Sequence, residues 1–159
     1  MSLKTLFWTT FFSFLPISEL RGAIPFALSQ GMPWYGALIY SVFINTLVAP
    51  VCWIFLSTVH RLLYRWGWYK RIFDAFVEKA RDKVHKKVEA WGWLGIAAFV
   101  AIPLPVTGAW TGTMGAWILG LDKKKTFLAV ILGVAVAGCI VTAVSMLGIS
   151  AFAIFIKQL

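Results

Sequence analysis

Four stretches of this chain carry almost no charge, and each is long enough to cross a membrane as a helix. They cover residues 5–30, 33–60, 93–121 and 126–156, whereas a helix needs about 20 apolar residues to span the hydrocarbon layer. Hydrophobic residues make up 60% of the chain and charged residues only 13%. A water-soluble fold of this length cannot bury that much apolar surface. The sequence therefore predicts an all-α polytopic membrane protein with a single membrane domain over 1–159.

Two clusters of charge indicate how the chain is placed in the membrane. Nine of the fifteen basic residues lie in the loop 61–92, and three more lie in the loop 121–125. Short basic loops stay on the cytoplasmic side. A complete crossing by 93–121 would put the two loops on opposite sides, so we expect this segment to enter from the cytoplasm and return. Both loops are then cytoplasmic, in the cytoplasmic (inner) membrane, and both termini lie outside.

Proline and glycine interrupt two of the four apolar stretches near their middle. Proline removes a backbone donor, and glycine allows conformations that other residues avoid. A half-helix of about ten residues reaches about 15 Å, half the thickness of the hydrocarbon layer. We therefore predict two re-entrant helical hairpins, at 5–30 and 93–121. Their interruptions read Pro16-Ile17-Ser18-Glu19-Leu20-Arg21-Gly22-Ala23-Ile24-Pro25 and Ile102-Pro103-Leu104-Pro105-Val106-Thr107-Gly108-Ala109-Trp110-Thr111-Gly112.

The chain then consists of two copies of one unit, a re-entrant hairpin followed by a transmembrane helix. The transmembrane helices are predicted at 33–60 and 126–156. One full span separates the hairpins, so they enter from opposite faces and form an inverted repeat. In transporters this pattern marks a binding site near the middle of the membrane. We take 5–30 as part of the mature protein, because no small-residue cleavage site follows its apolar run.

Both predicted spans contain residues suited to contact with an irregular neighbour. Small residues recur every fourth position at Ala129, Gly133 and Ala137, which lets a hairpin or a second subunit approach closely. Asn45 either bonds to the free backbone of a hairpin or contacts substrate. Pro50 predicts a kink in the first span.

The segment 68–91 has one apolar side and one basic side when it is drawn as a helix. We predict a cytoplasmic amphipathic helix at the membrane interface, with its basic side towards anionic head groups. A solvated connector that packs on the protein itself is an equal alternative. Tryptophans, which favour the interface, stand at both ends of the segment, at Trp66, Trp68, Trp91 and Trp93.

Glu19 and Arg21 are ionisable residues predicted to lie inside the membrane. A charge in hydrocarbon is costly, so such residues indicate function by default. The two side chains either form a buried ion pair that stabilises the broken backbone, or each binds its own partner. In the second case, burial disfavours the charged form of Glu19 and Arg21 favours it, so we expect Glu19 to exchange protons. The Arg21 guanidinium suits bidentate binding of phosphate or carboxylate.

The second hairpin adds uncharged polar groups to this pair. Thr107 and Thr111 offer hydroxyls and the backbone around Gly108 offers N–H groups, which either bind the same ligand or bond locally. Trp110 is predicted to lie deeper in the membrane than an interfacial tryptophan. It either forms one wall of a cavity or packs against the protein. The predicted substrate- and proton-binding set is Ser18, Glu19, Arg21, Asn45, Thr107, Gly108, Trp110 and Thr111.

The sequence lacks the usual marks of an enzyme. His60 and His85 are single histidines, and Cys52 and Cys139 lack the paired spacing of a disulfide framework or a zinc site. No phosphate-loop motif is present. We expect no catalytic residue, metal or cofactor, and no nucleic-acid partner.

The core Glu19-Leu20-Arg21-Gly22-Ala23-Ile24-Pro25, together with 103–112, resembles the small multidrug export proteins, a branch of the DedA (VTT-domain) superfamily. The resemblance covers nearly the whole chain. It implies two facing re-entrant hairpins and movement of lipids, including polyprenyl-phosphate carriers, with links to proton motive force and drug sensitivity. Glu19 and Arg21 resemble the acidic and basic members of the hairpin constellation. Superfamily relatives also carry arginine in the second hairpin, and here that hairpin has none.

These observations favour a transporter or flippase for an amphiphilic, anionic lipid-phosphate substrate, coupled to protons through Glu19. The expected partners are membrane lipids, the substrate, protons and a second copy of the chain in a homodimer. One alternative is a small multidrug exporter of lipophilic cations, in which Glu19 is the counter-charge. Another is a non-transporting scaffold or assembly factor that docks through its basic segment 68–91.

Overall fold

The described part of the chain is helical and contains no strand. This computed structural model describes residues 2–68, 70–71, 74–75, 92–104 and 107–157. The all-α prediction is confirmed for these residues, and most of the predicted amphipathic helix 68–91 lies outside them. The principal helices are α1 (Leu3–Phe14), α2 (Glu19–Ser29), α3 (Trp34–Thr46), α4 (Val48–Leu63), α5 (Trp93–Ala101), α6 (Ala109–Ile118) and α7 (Lys123–Lys157).

Two helical segments are long and apolar enough to cross a membrane. They run over Trp34–His60 and Lys123–Gly148. The first lies within the uninterrupted stretch 33–60, and the second begins three residues before the stretch 126–156. The first comprises α3 and α4, which are separated only at Leu47, where the N–H bonds back to the Ile44 carbonyl at 3.1 Å. Pro50 explains this irregularity, since it has no N–H to offer the carbonyl four residues earlier.

The other two apolar stretches are helix pairs with a break between their members. In the first, α1 ends at Phe14 and α2 begins at Glu19. In the second, α5 ends at Ala101 and α6 begins at Ala109. The members of each pair pack against each other, so both are hairpins rather than continuous rods. Proline stands at both breaks, as the sequence predicts, and glycine at the second, whereas Gly22 lies inside α2.

The two hairpins pack at opposite ends of the long helix α3–α4. Helices α1 and α2 contact α3, whereas α6 contacts α4. The second helix of each hairpin also contacts the long helix of the other half, in the pairs α2–α7 and α6–α4. The two halves of the chain therefore make corresponding contacts, although their sequences are only slightly alike.

Small residues form the helix crossings. A Cβ atom added at Gly133 would lie 2.7 Å from the Ala97 carbonyl oxygen and against Val100, so the small-residue stripe of α7 packs on the second hairpin through α5. Gly138 is equally close to α3, where a Cβ would meet Val42. Large apolar side chains instead cover the outside of the helices. An apolar exterior around closely packed backbones suits hydrocarbon as the solvent.

Candidate functional site at the hairpin tips

The tips of the two hairpins meet at Glu19. This residue opens α2, and its Oε1 accepts the backbone N–H of Trp110 at 3.3 Å, from the first turn of α6. The Ala109 N–H also faces the carboxylate. The first N–H groups of a helix have no partner within the helix, and together with the helix dipole they favour an anion. The acid of the first hairpin therefore occupies the anion-binding end of a helix in the second.

Gly108 permits this close approach. A Cβ atom at position 108 would overlap the Glu19 carboxylate. The backbone of Gly108 also has φ 149° and ψ −169°, a conformation that other residues rarely adopt. Both observations require glycine here, because any side chain would push the carboxylate away from α6.

The backbone of Glu19 is strained. Its φ of 45° makes it a non-glycine residue in the left-handed region, which costs about 1–2 kcal/mol. The turn that imposes this conformation is closed by two bonds to the Leu15 carbonyl, from Ser18 N at 3.2 Å and Glu19 N at 3.0 Å. Such strain persists where the surroundings determine it, commonly at functional sites. Here it accompanies a residue that is only 6% exposed.

Arg21 does not pair with Glu19. Among the described residues the two side chains form no ion pair, and Arg21 Nη2 donates instead to the Ile17 carbonyl at 3.3 Å. That carbonyl lies in the turn between α1 and α2, where a helical donor is lacking. Of the two interpretations of this pair, the buried ion pair is therefore not the observed arrangement. The guanidinium keeps other N–H groups for a ligand.

Both side chains line one narrow cleft, which we call the hairpin cleft. Its interior is about 10 Å³, room for about one water molecule. Both hairpins and both long helices contribute to its walls, with charged and polar groups on one part and small or branched apolar residues on the rest. The lining residues are Glu19, Leu20, Arg21, Asn45, Val100, Pro103, Thr107, Gly108, Ala109, Val134 and Ala137.

Asn45 bonds to a broken hairpin. Its Nδ2 donates to the Ser13 carbonyl at 2.7 Å, and the side chain is buried. Ser13 lies in the last turn of α1, so this carbonyl has lost its helical donor. Asn45 thus makes a hydrogen bond to the free backbone of a hairpin, which was one of the two interpretations of this residue. It also lines the hairpin cleft.

The predicted hydroxyls bond within their own hairpin. Thr107 Oγ1 bonds to the Ile102 carbonyl and accepts the Leu104 N–H at 3.0 Å, so it closes the turn between α5 and α6. Thr111 Oγ1 donates to the Gly108 carbonyl at 3.4 Å. Ser18 makes no side-chain capping bond to α2. Thr107 and Arg21 have corresponding structural roles, because the side chain of each donates a hydrogen bond to a backbone carbonyl in its turn. In hydrocarbon that carbonyl would otherwise have no donor.

Trp110 ties the tips together and lies behind the hairpin cleft rather than on its lining. Its indole Nε1 donates to the Phe14 carbonyl at 2.9 Å, and the Trp110 and Phe14 rings pack edge to face with centroids 5.7 Å apart. The sequence predicted that Trp110 lies deep in the membrane, but it did not predict the hydrogen bond to the Phe14 carbonyl. Such a bond could have been expected, because a buried indole N–H needs an acceptor.

A protein-family model matches most of the chain. The model described as "Putative small multi-drug export protein" covers residues 19–140, more than half of the chain. The matched range includes both hairpin tips and begins at Glu19. No curated protein and no solved structure matches the chain.

Proposed function

The chain belongs to the small multi-drug export protein family, and on that premise we propose that it transports an amphiphilic, anionic lipid-phosphate substrate together with protons. One observation carries this proposal: the Glu19 carboxylate binds the N-terminus of α6. A helix N-terminus is a common binding site for phosphate. In this chain a carboxylate of the protein itself fills that position, so a substrate phosphate has to compete with it.

Charge balance makes the competition dependent on protons. Arg21 brings one positive charge to the hairpin cleft, and Glu19 brings one negative charge. A second anion in this poorly hydrated site would be uncompensated, and an uncompensated charge in such surroundings is costly. Protonation of Glu19 removes its charge and weakens its bond to Trp110 N. A phosphate monoanion then replaces the carboxylate at the N–H groups of Ala109 and Trp110, and Arg21 binds its other oxygens.

Loss of the proton reverses the exchange. The ionised carboxylate returns to α6, and its charge displaces the phosphate from the same N–H groups. Each cycle thereby moves one phosphate for each proton bound by Glu19. In this account the chain is a carrier without enzymatic activity, since no bond of the substrate is broken.

The proposed topology brings substrate to this cleft. The two hairpins enter the inner membrane from opposite faces, with the loops 61–92 and 121–125 in the cytoplasm and both termini outside. Their packing at opposite ends of α3–α4 supports this arrangement. The lipid tails remain on the apolar exterior of the helices while the head group enters the cleft. A second copy of the chain completes the path, since one chain surrounds it only thinly.

Reconstitution into liposomes tests the proposal. A labelled polyprenyl phosphate should cross the bilayer in response to a pH gradient, and the matched uncharged polyprenol should not. Arg21→Ala should lose most of this movement, and Arg21→Lys should retain part of it, because lysine keeps the charge but not the planar fork. Equal rates for the phosphate and the polyprenol would contradict the proposal.

Export of lipophilic cations is the second candidate, and the description of the family favours it. In this case ionised Glu19 leaves α6 and binds the cation. Tetraphenylphosphonium separates the two candidates in the same liposomes. A cation exporter moves it, loses that activity in Glu19→Gln and keeps it in Arg21→Lys, whereas a lipid-phosphate carrier does not move it.

A further inference from the structure

Helix α1 turns hydroxyls inwards and aromatic rings outwards. Its buried residues are Thr5, Thr9 and Ser13, spaced one helical turn apart. The large side chains of Phe7 and Phe11 are exposed on the opposite side. The outward rings suit contact with lipid. The inward hydroxyls lie where a membrane helix would pack equally well with alanine, so their polarity needs another explanation.

Helix α3 meets this side of α1 with polar residues of its own. Two hydrogen bonds join the helices: Thr10 Oγ1 to Tyr40 Oη at 2.6 Å, and Asn45 Nδ2 to the Ser13 carbonyl at 2.7 Å. The contacts occur in the same order along both helices, so α1 and α3 run parallel. This register places Ser41, which is fully buried, at a level between Thr9 and Ser13.

Two hydroxyls along this interface are buried without a partner. Thr9 Oγ1 donates to the Thr5 carbonyl at 2.7 Å, as is usual for threonine in a helix. Ser13 Oγ and Ser41 Oγ have no hydrogen-bond partner, and both residues are 0% exposed. A buried hydroxyl without a partner loses the hydrogen bonds that it makes in water, which is unfavourable. In proteins such groups are commonly satisfied by buried water.

The interface lies between two cavities. Near the first residues of α1, an open cavity of about 350 Å³ is lined by Ser2, Thr5 and Gln30, among others. At the other end, Asn45 lines the hairpin cleft together with Glu19. Thr5 and Ser13 are eight residues apart, or about 12 Å along a helix. A few water molecules in single file would span this distance.

We propose that the interface of α1 and α3 is a hydrated path that carries protons between the cavity at Thr5 and the carboxylate of Glu19. Thr9, Ser13, Ser41 and Asn45, which we call the hydroxyl seam, hold the waters. A hydronium ion delivers its proton through this chain to a carboxylate oxygen of Glu19 and leaves a neutral water behind. The transfer of protons through the seam rests on the function proposed above, whereas the hydration of the seam is independent of it.

Among the described residues that line the hairpin cleft, Arg21 is the one charged group besides Glu19. It lies on α2, the same helix as Glu19, and lines the same cleft. The residues that line the hairpin cleft from α3, α5, α6 and α7 are uncharged, as are the seam residues of α1. Glu19 is therefore the proton acceptor at the end of the seam.

Silver ions test the hydration directly, because they are small and react with thiols in water. The native Cys52 and Cys139 are first replaced by alanine, and Ser41→Cys or Thr9→Cys is introduced in protein held in lipid nanodiscs. Two controls match them: Phe43→Cys, whose native side chain on α3 is 61% exposed, and Val130→Cys, which is buried among apolar residues of α7. Free thiol is titrated after timed exposure to silver. Seam thiols should be lost at least tenfold faster than both control thiols, and equal rates would overturn the proposal.

Removal of the hydroxyls tests the use of the path. Thr9→Val with Ser41→Ala should slow proton-driven movement of polyprenyl phosphate at least tenfold and leave its equilibrium binding at constant pH unchanged. Thr9→Ser in the otherwise native chain keeps a hydroxyl at this position and should leave the rate of movement at its native value. Thr113→Val removes a buried, unpartnered hydroxyl outside the seam and should not slow movement.

The two tests separate the seam from the transport function. Fast silver reaction with no movement of lipid phosphate leaves the seam standing and refutes the proposed function. If the protein with Thr9→Val and Ser41→Ala still moves lipid phosphate, and the seam thiols react slowly with silver, the seam is refuted and the proposed function is not.

Discussion

The carboxylate of Glu19 accepts the backbone N–H of Trp110 at 3.3 Å, so an acid from one hairpin closes the N-terminus of a helix in the other. The same tryptophan donates its indole N–H to the Phe14 carbonyl at 2.9 Å. These two bonds join Trp110 to both sides of the turn in the first hairpin. The position of the acid and the packing of the tips therefore depend on each other.

Glu19→Gln should remove the pH dependence of transport. Glutamine keeps the shape of the side chain and the acceptor for Trp110 N, but it carries no charge and binds no proton in this range. Movement of substrate should no longer respond to a pH gradient, measured in liposomes at matched protein density. Glu19→Asp keeps the charge and serves as the control. Full dependence on the gradient in Glu19→Gln would refute proton coupling through this residue.

Gly108→Ala should destabilise the protein and separate the tips. The added methyl overlaps the Glu19 carboxylate, and φ 149° strains any residue with a side chain. We expect a loss of about 1–3 kcal/mol in the free energy of unfolding, measured by thermal or denaturant unfolding in detergent. Gly115→Ala, inside α6, is the control, since a Cβ there meets nothing within 4 Å.

A double mutant separates the clash from backbone strain at position 108. If the carboxylate causes the loss, Gly108→Ala should cost less in a Glu19→Ala background than in the native chain. An equal cost in the two backgrounds would assign the whole effect to the backbone of residue 108.

Trp110→Phe should weaken the junction of the tips. Phenylalanine preserves much of the ring packing on Phe14 but leaves the Phe14 carbonyl without the indole N–H. An unsatisfied buried acceptor costs about 1–3 kcal/mol, to be measured by unfolding in detergent. Trp34→Phe is the control, because Trp34 is half exposed on the surface of α3. Equal stability of the two variants would show that the bond contributes nothing.

Gly133→Ala should separate α7 from the second hairpin. The new Cβ would lie 2.7 Å from the Ala97 carbonyl oxygen, a backbone atom that cannot rotate away. We expect this variant to unfold at a lower temperature than the native protein. Gly148→Ala makes the same change on α7 with nothing within 4 Å, and it should be neutral or slightly stabilising.

Lys124→Cys tests the membrane topology. In a background without Cys52 and Cys139, an impermeant maleimide should label this residue from the cytoplasmic side, as it labels Arg65→Cys. Labelling of the two positions from opposite sides would mean that 93–121 crosses the membrane completely. That result would contradict the prediction of a re-entrant hairpin in this segment.

Hydropathy and helix breakers predicted much of the fold. Apolar stretches identify membrane helices because the cost of placing a residue in hydrocarbon is largely local. The breaks near Pro16 and Pro103 follow from missing backbone donors, which is also a local property. The buried hydroxyls of Thr5, Thr9 and Ser13 could have been recognised by their helical spacing. They were missed because the surrounding aromatic residues dominate the hydropathy of α1.

The sequence alone determined that the chain is helical and apolar, where two of its helices break, and which charged residues stand at one break. Only the tertiary structure decided what those residues contact. Glu19 meets an N–H group 91 positions away instead of Arg21, its neighbour in sequence. The physical reason is that a carboxylate takes the donors that packing brings to it, and the positions of those donors depend on how α6 lies against α4 and α7.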